Sequence, residues 1–262
     1  MLTAVLAAAL SVPAQPVQVW QRECRYEADR SATVRATSSE QLRLIARAGS
    51  LRIQGREGLA EIRVKGHACA SSRELLDQLQ IETERSGSTV RVEVAEIDND
   101  EWRNNQYARL DLEIEVPARM AADIADGSGE STIIGLGDIV VTDGSGSLHI
   151  ADVSAARVRD GSGEIEIDGV AGDLHIVDGS GGIRVGRVEG SVTIEDGSGG
   201  IDIADVGGSI DVPADGSGGI DVRGVRGDLS VARKGSGSIG YRDVQGRVDV
   251  PDRDRNRRRR QG

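Results

Sequence analysis

From residue 126 to residue 250 apolar and polar positions alternate at period two, small-residue corners interrupt the alternation, and the whole pattern recurs. One period reads Asp160-Gly-Ser-Gly-Glu-Ile165-Glu-Ile167-Asp-Gly-Val170-Ala-Gly-Asp-Leu174-His-Ile176-Val177. Ile165 and Ile167 fall on one face of a strand, and Glu164, Glu166 and Asp168 on the other. Asp-Gly-Ser-Gly begins at Asp126, Asp143, Asp160, Asp178, Asp196 and Asp215, and a seventh copy reads Lys234-Gly235-Ser236-Gly237. The spacings are 17, 17, 18, 18, 19 and 19 residues. Aligning the last six periods gives thirty inward positions, from Leu148 to Val250, and none is charged.

β-Branched residues with a glycine every few positions suit strands and corners and exclude helices. An up-and-down barrel would need hairpins of regular length. Two short strands and tight corners per period fit a solenoid, with coils stacked about 4.8 Å apart and like residues in ladders. The expected fold is therefore all-β: a single-stranded parallel β-helix with coils of about 17–19 residues.

Before residue 126 the coils are degenerate. Gly49-Ser50-Leu51-Arg52-Ile53 matches Gly146-Ser147-Leu148-His149-Ile150, with Ile62-Arg63-Val64 read as its second strand. Val90–Val94 and Leu110–Val116 alternate equally well. Ser71 and Glu74 have capping-box spacing, which predicts a short helix near the N-terminal cap. Asp98–Asn105 reads as a polar loop. The expected organisation is a signal peptide over 1–14, a capping region with degenerate coils over 15–125, regular repeats over 126–251 and a basic disordered tail over 252–262.

Leu2–Val12 is apolar but too short to span a bilayer, and Val12-Pro13-Ala14 offers small residues for cleavage. No Lys or Arg precedes the run. Export would leave the two cysteines, Cys24 and Cys69, to form one disulfide. His67, His149 and His175 show no metal-ligand spacing with them.

At this point the chain resembles a known group. The Gly-Ser-Gly-x-Ile-x-Val coils, preceded by an alternating strand ending in Val116-Pro117, are similar to the bacterial putative-adhesin domain family of unknown function, over roughly residues 40–250. The resemblance implies an exported β-helical domain at the cell envelope, with some members linked to envelope-stress regulation. It brings no established catalytic residues.

Charge and composition narrow the function. The net charge is −11, divided as −3 over residues 1–125, −12 over 126–251 and +4 over the tail with its six arginines between Arg253 and Arg260. An acidic body excludes a nucleic-acid binder. There are five aromatics and no Phe, so a sugar cleft of stacked rings is not expected. Gly235-Ser236-Gly237-Ser238-Ile239-Gly240 has the spacing of a dinucleotide fingerprint but lacks the strand-then-helix setting that motif needs. No Gly-x-Ser-x-Gly elbow places a nucleophile. Tight corners leave little material for a lyase groove.

Stacking in register would align Asp126, Asp143, Asp160, Asp178, Asp196 and Asp215, and their repulsion must be offset. Either each carboxylate accepts from the following Gly and Ser amides as in an Asx-turn, or the row holds a cation. The nine-residue ligand pattern of calcium β-rolls is not reproduced. Lys234 would close the row beside Asp215, which favours a metal-free ladder.

The expected protein is an exported, non-enzymatic, monomeric envelope module with an adhesin-like binding or structural role. It needs no cofactor, does not span the membrane, and has an unidentified envelope or extracellular ligand. The alternatives are a self-assembling scaffold and a β-helical polysaccharide-active enzyme.

Overall fold

The computed structural model describes residues 24–97 and 106–251. The expected signal peptide, the polar loop and the arginine tail lie outside these residues.

The chain is a β-solenoid of about seven turns with one short helix. Two sheets run its length, one of 11 strands and one of 12 among the described residues. A representative coil places strand Gly163–Val170 in the first sheet and strand Leu174–Asp178 in the second. Each pairs in parallel with the equivalent strand of the next coil: Ile165 opposite Ile183, Ile167 opposite Val185, Leu174 opposite Val192 and Ile176 opposite Ile194. Of the thirty expected inward positions, 27 are buried; Tyr241, Val244 and Val248 of the last coil are half-buried.

The glycines set the corner. Gly163, Gly181, Gly199 and Gly218, the last residues of successive Gly-Ser-Gly turns, have φ between +134° and +151°. Each lies on the backbone of the coil below, so a Cβ at Gly181 would fall 1.5 Å from the Gly163 carbonyl oxygen. Only a residue without Cβ fits both the dihedral and the approach.

The amino-terminal end departs from the simple repeat. Ile62–Val64 is not the second strand of a coil. It belongs to strand Glu61–Ala70, which runs antiparallel to both Tyr26–Arg35 and Ala108–Pro117. Strand Ile81–Ser86 closes the other sheet, antiparallel to Thr89–Val94. The coil made by Gln41–Ile45 and Leu51–Arg56 is intercalated: Thr89–Val94 and Ala108–Pro117 flank it on one side, Ala121–Asp126 and Gly129–Ile134 on the other. Spatial order therefore differs from chain order here. The helix spans Arg73–Gln78, and its N-cap is Ser72, whose side chain accepts from the Leu75 amide. Ser71, one residue earlier, instead accepts from the Tyr107 amide at 3.1 Å. The Cys24–Cys69 disulfide ties the start of the first strand to its antiparallel partner.

Candidate functional site

Strand Leu174–Asp178 alternates inward and outward, and Asp178 is buried in phase with Leu174 and Ile176. The same phase holds in every coil. Asp126, Asp143, Asp160, Asp178, Asp196 and Asp215 are only 4–8% exposed. They stand in unbroken register, Asp126 opposite Asp143 and so on to Asp215 opposite Lys234. Strand Ile210–Ser217 carries an extra residue, and a bulge absorbs it: Thr193 faces Asp211 but Glu195 faces Ala214, which returns Asp215 to Asp196.

The row is closed chemically at both ends. Asp126 accepts from the Ser131 hydroxyl at 2.5 Å and the Gly127 amide at 2.8 Å. Ser131 holds the inward position that Leu148, Ile165, Ile183, Ile201 and Ile220 hold in later coils. At the far end Lys234 Nζ donates to Asp215 Oδ2 at 2.6 Å and to the carbonyls of Gly218 and Ser236 at 2.6 and 3.0 Å.

Between these ends the expected Asx-turns form only in part. The Ser180 amide donates to Asp178 at 3.3 Å and the Ser198 amide to Asp196 at 3.1 Å. Both carboxyl oxygens of Asp143 and of Asp160 lack a hydrogen bond of ordinary geometry. Burial, reinforced by the charges of Asp126 and Asp160, pushes Asp143 up to about 6; the Gly144 and Ser145 amides pull it back only partly. Asp196 is likewise pushed up to about 6 by burial and by Asp178 and Asp215. Burial raises Asp126, Asp160 and Asp178 as well. A carboxylate out of water without a cation takes a proton more readily.

A second feature lies outside. In six successive first-sheet strands the next-to-last residue adopts the left-handed conformation, Asp152, Gly169, Arg187, Asp205, Gly224 and Asp243, and Gly135 does so directly after strand Gly129–Ile134, with φ from 51° to 82°. Arg119 (φ 60°) begins the column. The charged members line an open groove of about 1050 Å³ with Glu189 and Arg226. Arg187 reaches sideways to Asp168, donating from Nε at 2.7 Å, and this hydrogen bond holds the Asp168 carboxyl below its usual range.

The histidines do not converge. His67 Nδ1 lies 3.2 Å from Asp29 Oδ1, His149 Nδ1 lies 3.6 Å from Glu166 Oε2, and His175 stands in the second-sheet row between Arg157 and Thr193. Among the described residues the one convergent set of three ligand-type side chains is Cys24, Glu27 and His67, and its sulfur is committed to the disulfide. The aspartate row and its lysine lie where the repeat places them, whereas the burial of the row, its cap at Ser131 and the left-handed column are not expected from the repeat.

No protein-family model matches the chain. No curated protein matches it. Among solved structures, a putative adhesin from Parabacteroides merdae is 10% identical with a TM-score of 0.41, covering 86% of this chain and 96% of that one. A putative cell adhesion protein from Clostridium sporogenes is 13% identical with a TM-score of 0.34, covering 86% and 99%. A putative lipid binding protein from Parabacteroides distasonis is 13% identical with a TM-score of 0.33, covering 85% and 97%. Such likenesses say nothing of what this chain binds.

Proposed function

We propose that the protein is an exported, non-enzymatic β-solenoid of the cell envelope that binds an extended, charged ligand along its outer surface. The observation that carries this reading is the open groove over the left-handed column, where Asp152, Arg187, Asp205 and Asp243 take equivalent positions on four different coils and Arg119, Glu189 and Arg226 line the same groove. A shallow, repetitive, charged surface on a rigid scaffold suits a repeating polymer better than a small substrate. The Cys24–Cys69 bond supports an oxidising compartment. Among the described residues no helix is long and apolar enough to cross a membrane. Co-sedimentation with purified cell-wall sacculi tests the reading: Arg119→Ala with Arg187→Ala should weaken binding, whereas substitutions on the second sheet's outer face, such as Arg157→Ala, should not. Equal binding by all variants would remove the groove from the function.

A second reading, end-to-end assembly, is favoured by the last coil. Among the described residues its strands Ile239–Val244 and Val248–Asp249 end the two sheets, and Tyr241, Val244 and Val248 are only half-buried there. Size-exclusion chromatography at several concentrations separates a monomer from a growing assembly.

A further inference from the structure

The buried aspartate row is not used by outer-surface binding and calls for its own explanation. Its end members have side-chain donors, Asp126 the Ser131 hydroxyl beside the Gly127 amide, and Asp215 the Lys234 ammonium at Oδ2. Asp143, Asp160, Asp178 and Asp196 lie between them with no cation beside them. Six ionised carboxyls at a spacing of about 4.8 Å in an apolar interior would repel strongly.

The surroundings leave few ways to neutralise them. From the first sheet the row faces Ser131 and then the aliphatic ladder Leu148, Ile165, Ile183, Ile201 and Ile220. Two positions before each aspartate, on its own strand, stand Val141, Val158, Ile176 and Ile194. The intercalated coil contributes Ala46 at the Asp126 end. Lys234 is the one cation in the row. The charges acting on Asp143 and Asp196 are those of their neighbours in the row. A calcium ion needs six to eight oxygens around it. The carboxyls stand in single file, and no three of them converge on one point. A proton needs only two oxygens. The aspartates are directly paired residues of adjacent strands, Asp143 between Asp126 and Asp160 and Asp196 between Asp178 and Asp215, so each has a carboxyl neighbour at the coil spacing with which to share a proton.

We propose that neighbouring carboxyls of this row share protons across the coil spacing, with Asp143 and Asp196 standing as carboxylic acids that donate to the carboxylates beside them. The solenoid thus stores protons in its core, is tighter in mild acid, and loosens as the row loses its protons toward neutral pH. The inference is independent of what the outer groove binds.

Thermal unfolding of the full chain at pH 5 and pH 8, alone and with calcium, tests it against the Asp143→Asn, Asp196→Asn double variant. Asn keeps the shape and can donate the hydrogen bond without a charge. The wild type should melt several degrees higher at pH 5. The variant should melt at least as high as the wild type at pH 8 and lose most of the pH difference. Histidines also gain charge in acid, and the variant separates the row from them. A wild-type melting temperature that is flat or rises from pH 5 to pH 8 overturns the proposal, as does a variant that keeps the wild-type slope. A calcium-dependent rise at pH 8 as large as that produced by acid, absent from the variant, would make the occupant a metal ion and overturn it too. Infrared spectroscopy of the wild type needs no variant: a carboxylic-acid carbonyl band that persists at pH 5.5 and is lost by pH 8 supports the shared protons, and its absence at pH 5.5 contradicts them.

Discussion

Lys234 Nζ lies 2.6 Å from Asp215 Oδ2, and both side chains are almost wholly withdrawn from solvent, at 0% and 1% exposure. The pair ends a row of like charges with an opposite one at the position where the repeat replaces Asp by Lys. Removing one partner of a buried pair leaves the other uncompensated, which costs roughly 3–5 kcal/mol. Lys234→Met should destabilise by about that much in urea unfolding. Lys234→Met combined with Asp215→Leu should recover most of the loss. A single variant within about 1 kcal/mol of wild type would show that the pair is solvated.

The corner glycines give a paired test. Gly181 has φ +147° and a Cβ position 1.5 Å from the Gly163 carbonyl oxygen, whereas a Cβ at Gly182 would meet nothing within 4 Å. Gly181→Ala should therefore prevent stacking and lower the melting temperature sharply, and Gly182→Ala should leave it nearly unchanged. Equal effects would mean that the coils are not packed backbone on backbone at this turn.

Ile203 is 2% exposed and stands between Val185 and Val222 in the first-sheet ladder. Ile203→Asp buries a charge with no partner and should unfold the protein. Ile203→Val removes one methylene and should cost about 0.5–1.5 kcal/mol. Circular dichroism with thermal melts reads both.

The Cys24–Cys69 bond has a sequence separation of 45 residues. By loop-closure entropy it contributes roughly 3–4 kcal/mol. Intact mass before and after reduction and alkylation should show one bond, and reduction should lower the melting temperature. Two thiols alkylated without reductant would contradict both the bond and the exported location.

Much of this architecture is legible in the sequence because a repeat multiplies a weak signal. One Ile-x-Ile is ambiguous, but the column Ile165, Ile183, Ile201, Ile220, Ile239 at a fixed period is not. The buried row was legible too, through parity: Leu174, Ile176 and Asp178 are two apart, so a strand that continues one residue further turns Asp178 inward. An aspartate before Gly-Ser-Gly reads as a turn residue, and that reading hides the parity. Ser131 shares the phase of Leu148 and carries the same clue. The left-handed column is hinted at by Gly135, Gly169 and Gly224 at equivalent places, but Arg187 and Asp205 between them give no local sign of it. The intercalated coil was not legible. Alternation fixes which face of Leu51–Arg56 is inward, and it does not say which parallel neighbour that strand will take.

The buried row makes the most direct test, through the carboxyl carbon resonances of Asp143 and Asp196 followed across pH by NMR. Their carboxyls are pushed up to about 6 in the folded chain, against 3.8 for the unperturbed group. The folded state therefore holds these protons more tightly than the unfolded one. The stability they contribute is complete below the unfolded value and is lost as pH rises from about 4 to about 6. Midpoints near pH 6 for both residues, with unfolding free energy falling over the same interval, are expected. Midpoints near pH 4, as for aspartates in water, would contradict a buried, proton-sharing row.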